Sequence, residues 1–465
     1  MRFLVVASFL SLPLILPIAP SAHAQTLSEA MQHGLNAHPE IKAGANARLS
    51  VDEQLKAARA GYLPQVDLLA GRGRQGVDTP GTRTPERHDH VALTRAEGGL
   101  QIKQMLFDGF ATRSEVERQR ATVNARAYEL MGSAERIGLG VVQVYLDVLK
   151  RRELVRLAEV NLDNHQRILE QIALRTERGV GRLVDLSQAK ARLALAQNNL
   201  STEKTNLADA QVNYFSVVGQ QPVDLKMPTG LGSLGGPSGA SGIPDALPTS
   251  LDVARQELLG NSPHLSAAEA DIGATEAQYR AATSTFYPRV DAELSLGADN
   301  NIDGARGHRN DWQVMVRMRY NLFAGGRNSA ELRSKSHQVN QAKDIRDNAL
   351  RVLNEDLGLA WNALLNAREQ FPIAQQYAEQ SQRVRDSYRK QFTLGDRTLL
   401  DLLDSENELF TASRRLEDVR FVELFTQYRI KSNMGSLLRS QGVVAPTASV
   451  PLDVLKTSAR LPLAQ

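Results

Sequence analysis

"WQVMVRMRYNLF", residues 312–323, alternates without a break. Successive side chains of a strand point to opposite faces. Trp312, Val314, Val316, Met318, Tyr320 and Leu322 therefore share one side, and Gln313, Met315, Arg317, Arg319 and Asn321 the other. "VDAELSLG" (290–297) does the same, with Val290, Ala292, Leu294 and Leu296 against Asp291, Glu293 and Ser295. A weaker pair lies upstream: Val66, Leu68 and Ala70, then Leu100, Ile102 and Leu106. Tyr62, Phe107, Phe286, Tyr287, Tyr320 and Phe323 gather near the strand ends. Alternation alone suits a soluble sheet with one wet face. Segments of ~10 residues with aromatic ends and a polar reverse also suit the strands of a transmembrane barrel.

Two features favour the barrel. The first is export. Arg2 is the only charge in residues 1–24, an apolar stretch runs from Phe3 to Ala19, and Ala22-His23-Ala24 supplies a small-residue cleavage site. Pro13, Pro17 and Pro20 argue against a spanning helix, and no later stretch reaches the ~20 apolar residues that one needs. The second feature is that no further apolar layer is evident against which a soluble sheet could pack. An open sheet edge cannot persist in lipid, and the chain supplies only four strands. Strands must then be pooled among subunits: three chains give twelve, whereas two give eight, too narrow for a passage.

The four strands belong to a chain written twice. Pro39 pairs with Pro263 and Pro64 with Pro288, each 224 residues apart. "LFDGF" (106–110) matches "LFAGG" (322–326) at a spacing of 216, which also carries Tyr145 to Trp361, Gly179 to Gly395, Asp185 to Asp401 and Gly219 to Gly435. The expected organisation is a signal peptide (1–24), a first repeat (25–226), a Gly/Pro/Ser linker (227–250), a second repeat (251–437) and a tail (438–465). Each repeat reads helix, two strands, helical hairpin. The first has a helix over roughly 27–60, strands near 64–73 and 98–107, and a hairpin near 111–219. The second has strands near 288–297 and 312–323 and a hairpin near 327–435.

The hairpins carry long apolar seams. Val123, Ala127, Leu130, Ala134, Ile137, Val141, Val144 and Val148 step by four and three, and the seam resumes through Val155, Ala158, Leu162, Leu169 and Ile172; Arg151 and His165 interrupt it. Seven heptads of this kind predict a coiled coil, and a helix from 111 to 177 would be ~100 Å long. After Gly179 and Gly181 a second helix returns with Leu186, Leu193, Leu200, Leu207 and Tyr214 every seventh residue. The corresponding return of the second copy, "GDRTLLDLLDSENELF" (395–410), places Asp401 and Asp404 three apart, on one helical face.

These features together resemble the TolC-like outer-membrane factor family. The likeness runs from about Leu27 to Leu437 and rests on "GYLPQ"/"FYPRV", "LFDG"/"LFAGG" and the two Gly-started returns, "GVGRLVDLSQAKARLALAQ" and "GDRTLLDLLDSENELFTAS". It implies an α+β membrane protein: a homotrimer with a twelve-stranded barrel in the outer membrane and a long α-helical barrel across the periplasm. It further implies a tapered tip that docks on a periplasmic adaptor (membrane fusion) protein attached to an inner-membrane ABC transporter or other pump. On this resemblance Gly179, Gly181 and Gly395 form the tip turns, and threefold symmetry repeats Asp401 and Asp404 into rings of acids around a constriction. Arg397 matches the family's closed-state arginine and Phe392 its aromatic, where Tyr is frequent. Asp185 aligns with Asp401, but Gln188 replaces the second acid. A simpler account remains open: an acid near a helix N-terminus is stabilised by the dipole, ~0.3–1 kcal/mol each, fading past the first turn.

Other chemistry finds little support. Cysteine is absent, so disulfides and an N-terminal lipid on Cys are excluded. The net charge is +3 with acids and bases interspersed, which gives no basic patch for nucleic acid. His88-Asp89-His90 lies in the long loop between the first strands without a second ligand cluster, so no metal or other cofactor is expected. No GxSxG, HExxH or P-loop is present, and the GxGxxG at Gly230, Gly232 and Gly235 lacks a strand before it, so no enzyme is expected. The expected function is an exit duct for type I protein secretion, with a multidrug or small-molecule efflux duct as the alternative. A soluble periplasmic coiled-coil adaptor would not need the four strands.

Overall fold

The computed structural model describes residues 25–80, 82, 91–228 and 246–453. The signal segment, His88-Asp89-His90, most of the linker and the tail beyond 453 lie outside the described residues.

The single helix expected over 27–60 is two helices. α1 (Leu27–Ala37) ends at His38, whose extended backbone then opens α2 (Pro39–Ala60). Pro39 has no N–H to give and a φ suited to the first helical position, so it begins one helix while ending another. The second copy repeats the device: α5 (Leu251–Asn261) stops at Ser262, and α6 (Pro263–Thr283) starts behind it.

Four antiparallel strands form one sheet in the order β1 (Gln65–Val77), β2 (Val91–Phe107), β3 (Arg289–Asn300), β4 (His308–Arg319). The central β2–β3 pair therefore joins the two repeats. β2 begins at Val91 rather than near 98, and β4 spans 308–319 rather than 312–323. The ladder continues to Val77↔Val91 and Asn300↔His308, past the point where outward side chains turn polar, so side-chain pattern alone misplaces the ends. Beyond β4, Gly325 and Gly326 adopt φ +62° and +82°, as Gly109 (φ +66°) does after β2. This left-handed bend explains the recurring "LFDG" and "LFAGG".

Two helical hairpins run from the sheet: α3 (Ala111–Glu177) with α4 (Leu183–Val218), and α7 (Arg327–Leu394) with α8 (Leu399–Asn433). α3 is 67 residues and α7 is 68, each ~100 Å of helix. α7 continues through Pro372. Most of the predicted α3 seam is buried, while Val144, Leu162 and Leu169 are half-buried. On α4 the order of depth differs from expectation. Ala189, Ala196 and Ala210 are buried, whereas Leu186, Leu193, Leu200 and Leu207 are only half-buried. Small side chains let the helix backbones approach, and the leucines flank the contact.

The main core lies midway along the hairpins. Met31 and Leu35 of α1, Leu130 to Val148 of α3, Tyr214 of α4, Leu258 of α5, Leu357 and Trp361 of α7, and Tyr428 of α8 pack there, together with Leu437 and Leu438 of the short α9 (Leu437–Ser440). Tyr145 Oη lies 2.8 Å from Gln25 O and 2.6 Å from Lys226 O, while Tyr214 Oη donates to Gln25 Oε1 at 2.9 Å. The ends of the first repeat are thereby pinned to one belt, with the sheet at one end of the helices and the turns at the other.

Candidate functional site

The sheet presents two different faces. Rungs Val66–Ile102–Leu294–Val314 and Leu68–Leu100–Leu296–Trp312 cross all four strands. Val66, Leu68, Trp312, Val314, Val316 and Met318 on this face are each more than half exposed. Such a continuous exposed apolar face is foreign to water. The reverse face carries paired charge: Lys103 Nζ stands 3.6 Å from Asp291 and 3.7 Å from Glu293, Arg317 Nε 3.1 Å from Glu293, and Arg289 Nε 3.1 Å from Asp291. Phe107, Phe110 and Tyr287 stack edge to face at the helical end, with centroids 5.4 and 6.2 Å apart. β1 and β4 are free edges. Among the described residues no helix is long and apolar enough to cross a membrane.

At the opposite end the two tip turns share one backbone design. Val180 N donates to Arg175 O (3.1 Å) and Gly179 N to Thr176 O (3.0 Å); 216 residues on, Asp396 N donates to Gln391 O (2.9 Å) and Gly395 N to Phe392 O (3.2 Å). Gly179 and Gly395 have φ +75° and +91°, which the capping pattern requires. Gly181 is needed for space: a Cβ there would lie 2.7 Å from Thr176 N.

The starts of the return helices differ. Thr398 caps α8: its Oγ1 accepts from Asp401 N at 3.2 Å and lies 2.8 Å from Asp401 Oδ2. Arg397 Nη1 is 3.8 Å from the same carboxylate, and the guanidinium lies over the Tyr388 ring at 4.4 Å. Arg182 opens α4 without any side-chain cap. Asp185 is half-buried at the matching position and forms no ion pair among the described residues.

Asp401 and Asp404 thus have separate partners within the chain. Asp401 serves the helix cap, and Asp404 Oδ1 meets Arg192 Nη2 of α4 at 2.8 Å, tying one hairpin to the other. Phe392 is a core residue rather than an exposed aromatic. It packs with Ile168, Ile172, Ala189, Leu402 and Leu403, and the Arg175 guanidinium covers its ring at 4.8 Å.

A buried polar layer above the tip joins three helices. Glu406 of α8 is 3% exposed; Arg385 Nη1 of α7 approaches it at 3.2 Å, and Asn164 Nδ2 of α3 donates to it at 3.1 Å. Higher up, buried Glu203 of α4 pairs with Arg414 (2.8 Å) and Arg151 (3.8 Å). His165 lies in the same seam, and burial followed by the Arg192 charge pulls its imidazole below the usual range. Sequence reasoning missed Arg192, Glu406, Arg385 and Glu203. The signal was available, because Arg151 and His165 break an apolar seam and a charge there needs a partner.

Comparison with known proteins follows from this geometry. The sequence matches the family described as "Outer membrane efflux protein" over residues 30–220 and 254–422. It is 26% identical to outer membrane efflux protein BepC of Brucella suis biovar 1 over 425 residues, covering 90% of this chain and 88% of that protein. It is 20% identical to alkaline protease secretion protein AprF of Pseudomonas aeruginosa, covering 91% and 87% respectively. The fold superposes on the Campylobacter jejuni CmeC outer membrane channel with a TM-score of 0.75 at 14% identity, over 94% of this chain and 90% of that one.

Proposed function

The chain belongs to the outer membrane efflux protein family, a family of channels rather than enzymes located in the Gram-negative outer membrane, and on that premise we propose that it is the exit duct of a three-part export system. The observation that carries this is the sheet: four strands, one exposed apolar face, one charged face and two unpaired edges. In lipid both edges must be paired. Three copies, β4 of each against β1 of the next, close a twelve-stranded barrel with the charged face towards the lumen and the hairpins extending into the periplasm. Each mature chain, freed of residues 1–24, contributes repeats 25–226 and 251–437 around the 227–250 linker.

The tip is the gate, and it docks on a periplasmic adaptor carried by an inner-membrane pump. Threefold symmetry gathers Asp401 and Asp404 around the axis. Arg397 and the buried Phe392 hold the surrounding helices, Asp185 adds an acid at the matching place on the first return helix, and Gly179, Gly181 and Gly395 turn the helices. Similarity to AprF, named for alkaline protease secretion, and the acid-bearing tip support type I protein secretion through an ABC transporter. Similarity to BepC, named an efflux protein, favours small-molecule efflux as the second reading.

Planar-bilayer recording tests the gate. Converting both Asp401 and Asp404 to Ala should raise conductance and reduce cation preference. Unchanged values for both would remove these acids from the gate. A chain that stays monomeric and soluble without detergent would overturn the barrel.

A further inference from the structure

The outward face of the sheet changes character along its length. From the helical end, Val290, Ala292, Leu294, Leu296 and Ala298 of β3 keep it apolar, matched by Met318 to Trp312 on β4 and by Val66, Leu68 and Ala70 on β1. The next rung reads Arg72–Ala96–Asn300–His308, and Arg74 pairs with Thr94 beyond it. Polarity therefore arrives on β1 and β3 at the same level, and on β4 one rung sooner, at Asn310 opposite Ala298.

That level coincides with a membrane boundary. Ala96, the partner of Arg72, is eleven residues from Phe107 along β2, or ~36 Å at 3.3 Å per residue, and ~28 Å in height at a ~40° tilt. The apolar band of an outer-membrane barrel is ~25 Å tall. Arg72 and Arg74 sit just past its end, on the side away from the helices, at the headgroups of the outer leaflet.

Within one chain their charge is uncommitted. Inward-facing Arg95, Arg289, Arg309 and Arg317 each pair with an acid, Arg319 at the helical end being the exception. Arg72 and Arg74 are exposed and form no ion pair among the described residues. Their cross-strand neighbours, Ala96 and Thr94, are small and uncharged. A guanidinium fork matches a phosphate in geometry and charge.

We propose that Arg72 and Arg74 form a binding site for the phosphate groups of a phosphorylated glycolipid in the outer leaflet. The site rests on the barrel reading above, which supplies the orientation. Lipid binding at this level fixes the height of the barrel and places the cations where each neighbouring lipid carries anionic charge.

The test uses the purified full-length mature channel in detergent and bis-phosphorylated lipid A, the same lipid stripped of phosphate, and inorganic phosphate. Wild type should bind the phosphorylated lipid about thirtyfold more tightly than the R72Q/R74Q variant does, from two headgroup-level cations. It should bind the stripped lipid as weakly as the variant binds the intact one, and R72K/R74K should retain most of the affinity. Equal binding by wild type and R72Q/R74Q overturns the site. So does indifference of wild type to the lipid phosphates, or displacement of the lipid by an equal concentration of inorganic phosphate. These results leave the barrel standing if both proteins still insert into vesicles; a wild-type chain that never inserts removes the barrel and the lipid site together.

Discussion

Replacing Glu406 by Ala should loosen the tip far more than replacing Asp404, although Asp404 is the more conspicuous acid in the sequence. The Glu406 side chain is 3% exposed and that of Arg385 13%, against 57% for Asp404 and 33% for Arg192. Removing one member of a buried pair strands the other, which costs ~3–5 kcal/mol. A surface pair contributes ~0–1 kcal/mol. Asp386 stands 2.9 Å from Arg385 Nε and offsets part of the loss, so the lower end of the range applies. About 3 kcal/mol corresponds to local opening increased ~100-fold. Hydrogen exchange of residues 399–410 in the assembled channel reads it directly: E406A should speed exchange by that factor, D404A by less than ~5-fold, and E406Q by an intermediate amount. Equal rates in E406A and D404A would refute the assignment of the hairpin tie to the buried layer.

Other substitutions probe separate parts of the argument. Gly395 holds φ +91°, so G395A should cost ~1–2 kcal/mol in the turn and speed trypsin cleavage after Arg397; G358A, where a Cβ meets open space inside α7, should not. On β4, V314R faces lipid and should cut the yield of folded channel through a cost of ~2–4 kcal/mol, while Q313R faces the lumen and should be tolerated; a reversed order would put the faces the other way, and equal yields would remove the bilayer. Burial pushes the Glu135 carboxyl up to about 7 against the opposing pull of the Leu438 and Leu437 N–H groups and Arg439. With the folded value above the ordinary one, its stabilisation is complete below pH 4.5 and lost as pH rises through about 7. Thermal stability should therefore decline across that window in wild type and less steeply in E135Q; parallel profiles would remove Glu135 as the cause.

What could be read from sequence was whatever follows from one residue's relation to its own element. The two faces of β4 were legible because alternation has a period of two, and the tip glycines because a left-handed residue has few candidates. Helix breaks at Pro39 and Pro263 were visible as repeated prolines, but their consequence was read only as register. Strand ends escaped because Arg72, Asn300 and His308 extend a backbone ladder after the side-chain signal has changed sign. At the candidate gate, position was legible and partnership was not. Spacing placed Asp401 and Asp404 on one helix, whereas their separate commitments, to Thr398 and to Arg192, depend on how α8 lies against α4.

Duplication fixes the backbone of those partnerships but not their chemistry. The hairpins meet through unlike helices, chiefly α3 of the first against α8 of the second, so each partnership depends on which residue each copy carries at the contact. The copies share the hydrogen bonds that close each outgoing helix, part at Gly181 and Arg397, where only the first turn brings the backbone too close for a Cβ, and have diverged in complementary ways at their contact residues. Asp404 corresponds to Gln188, Glu406 to Lys190 and Arg192 to Glu408, each 216 residues apart. Near the tip the second copy supplies the acids and the first supplies Arg192, Asn164 and the Arg175 cover on Phe392, while higher up the roles reverse, with Glu203 of the first copy meeting Arg414 of the second. Gly181 becomes Arg397 and uncapped Arg182 becomes Thr398, so only the second return helix is fastened at its start. The hairpins are thus held together by opposite charge and differ in stiffness at the tip. Motion of one against the other must break Arg192–Asp404 at little cost before it meets the buried Glu406 layer, an order that confines easy movement to the last turns of the helices.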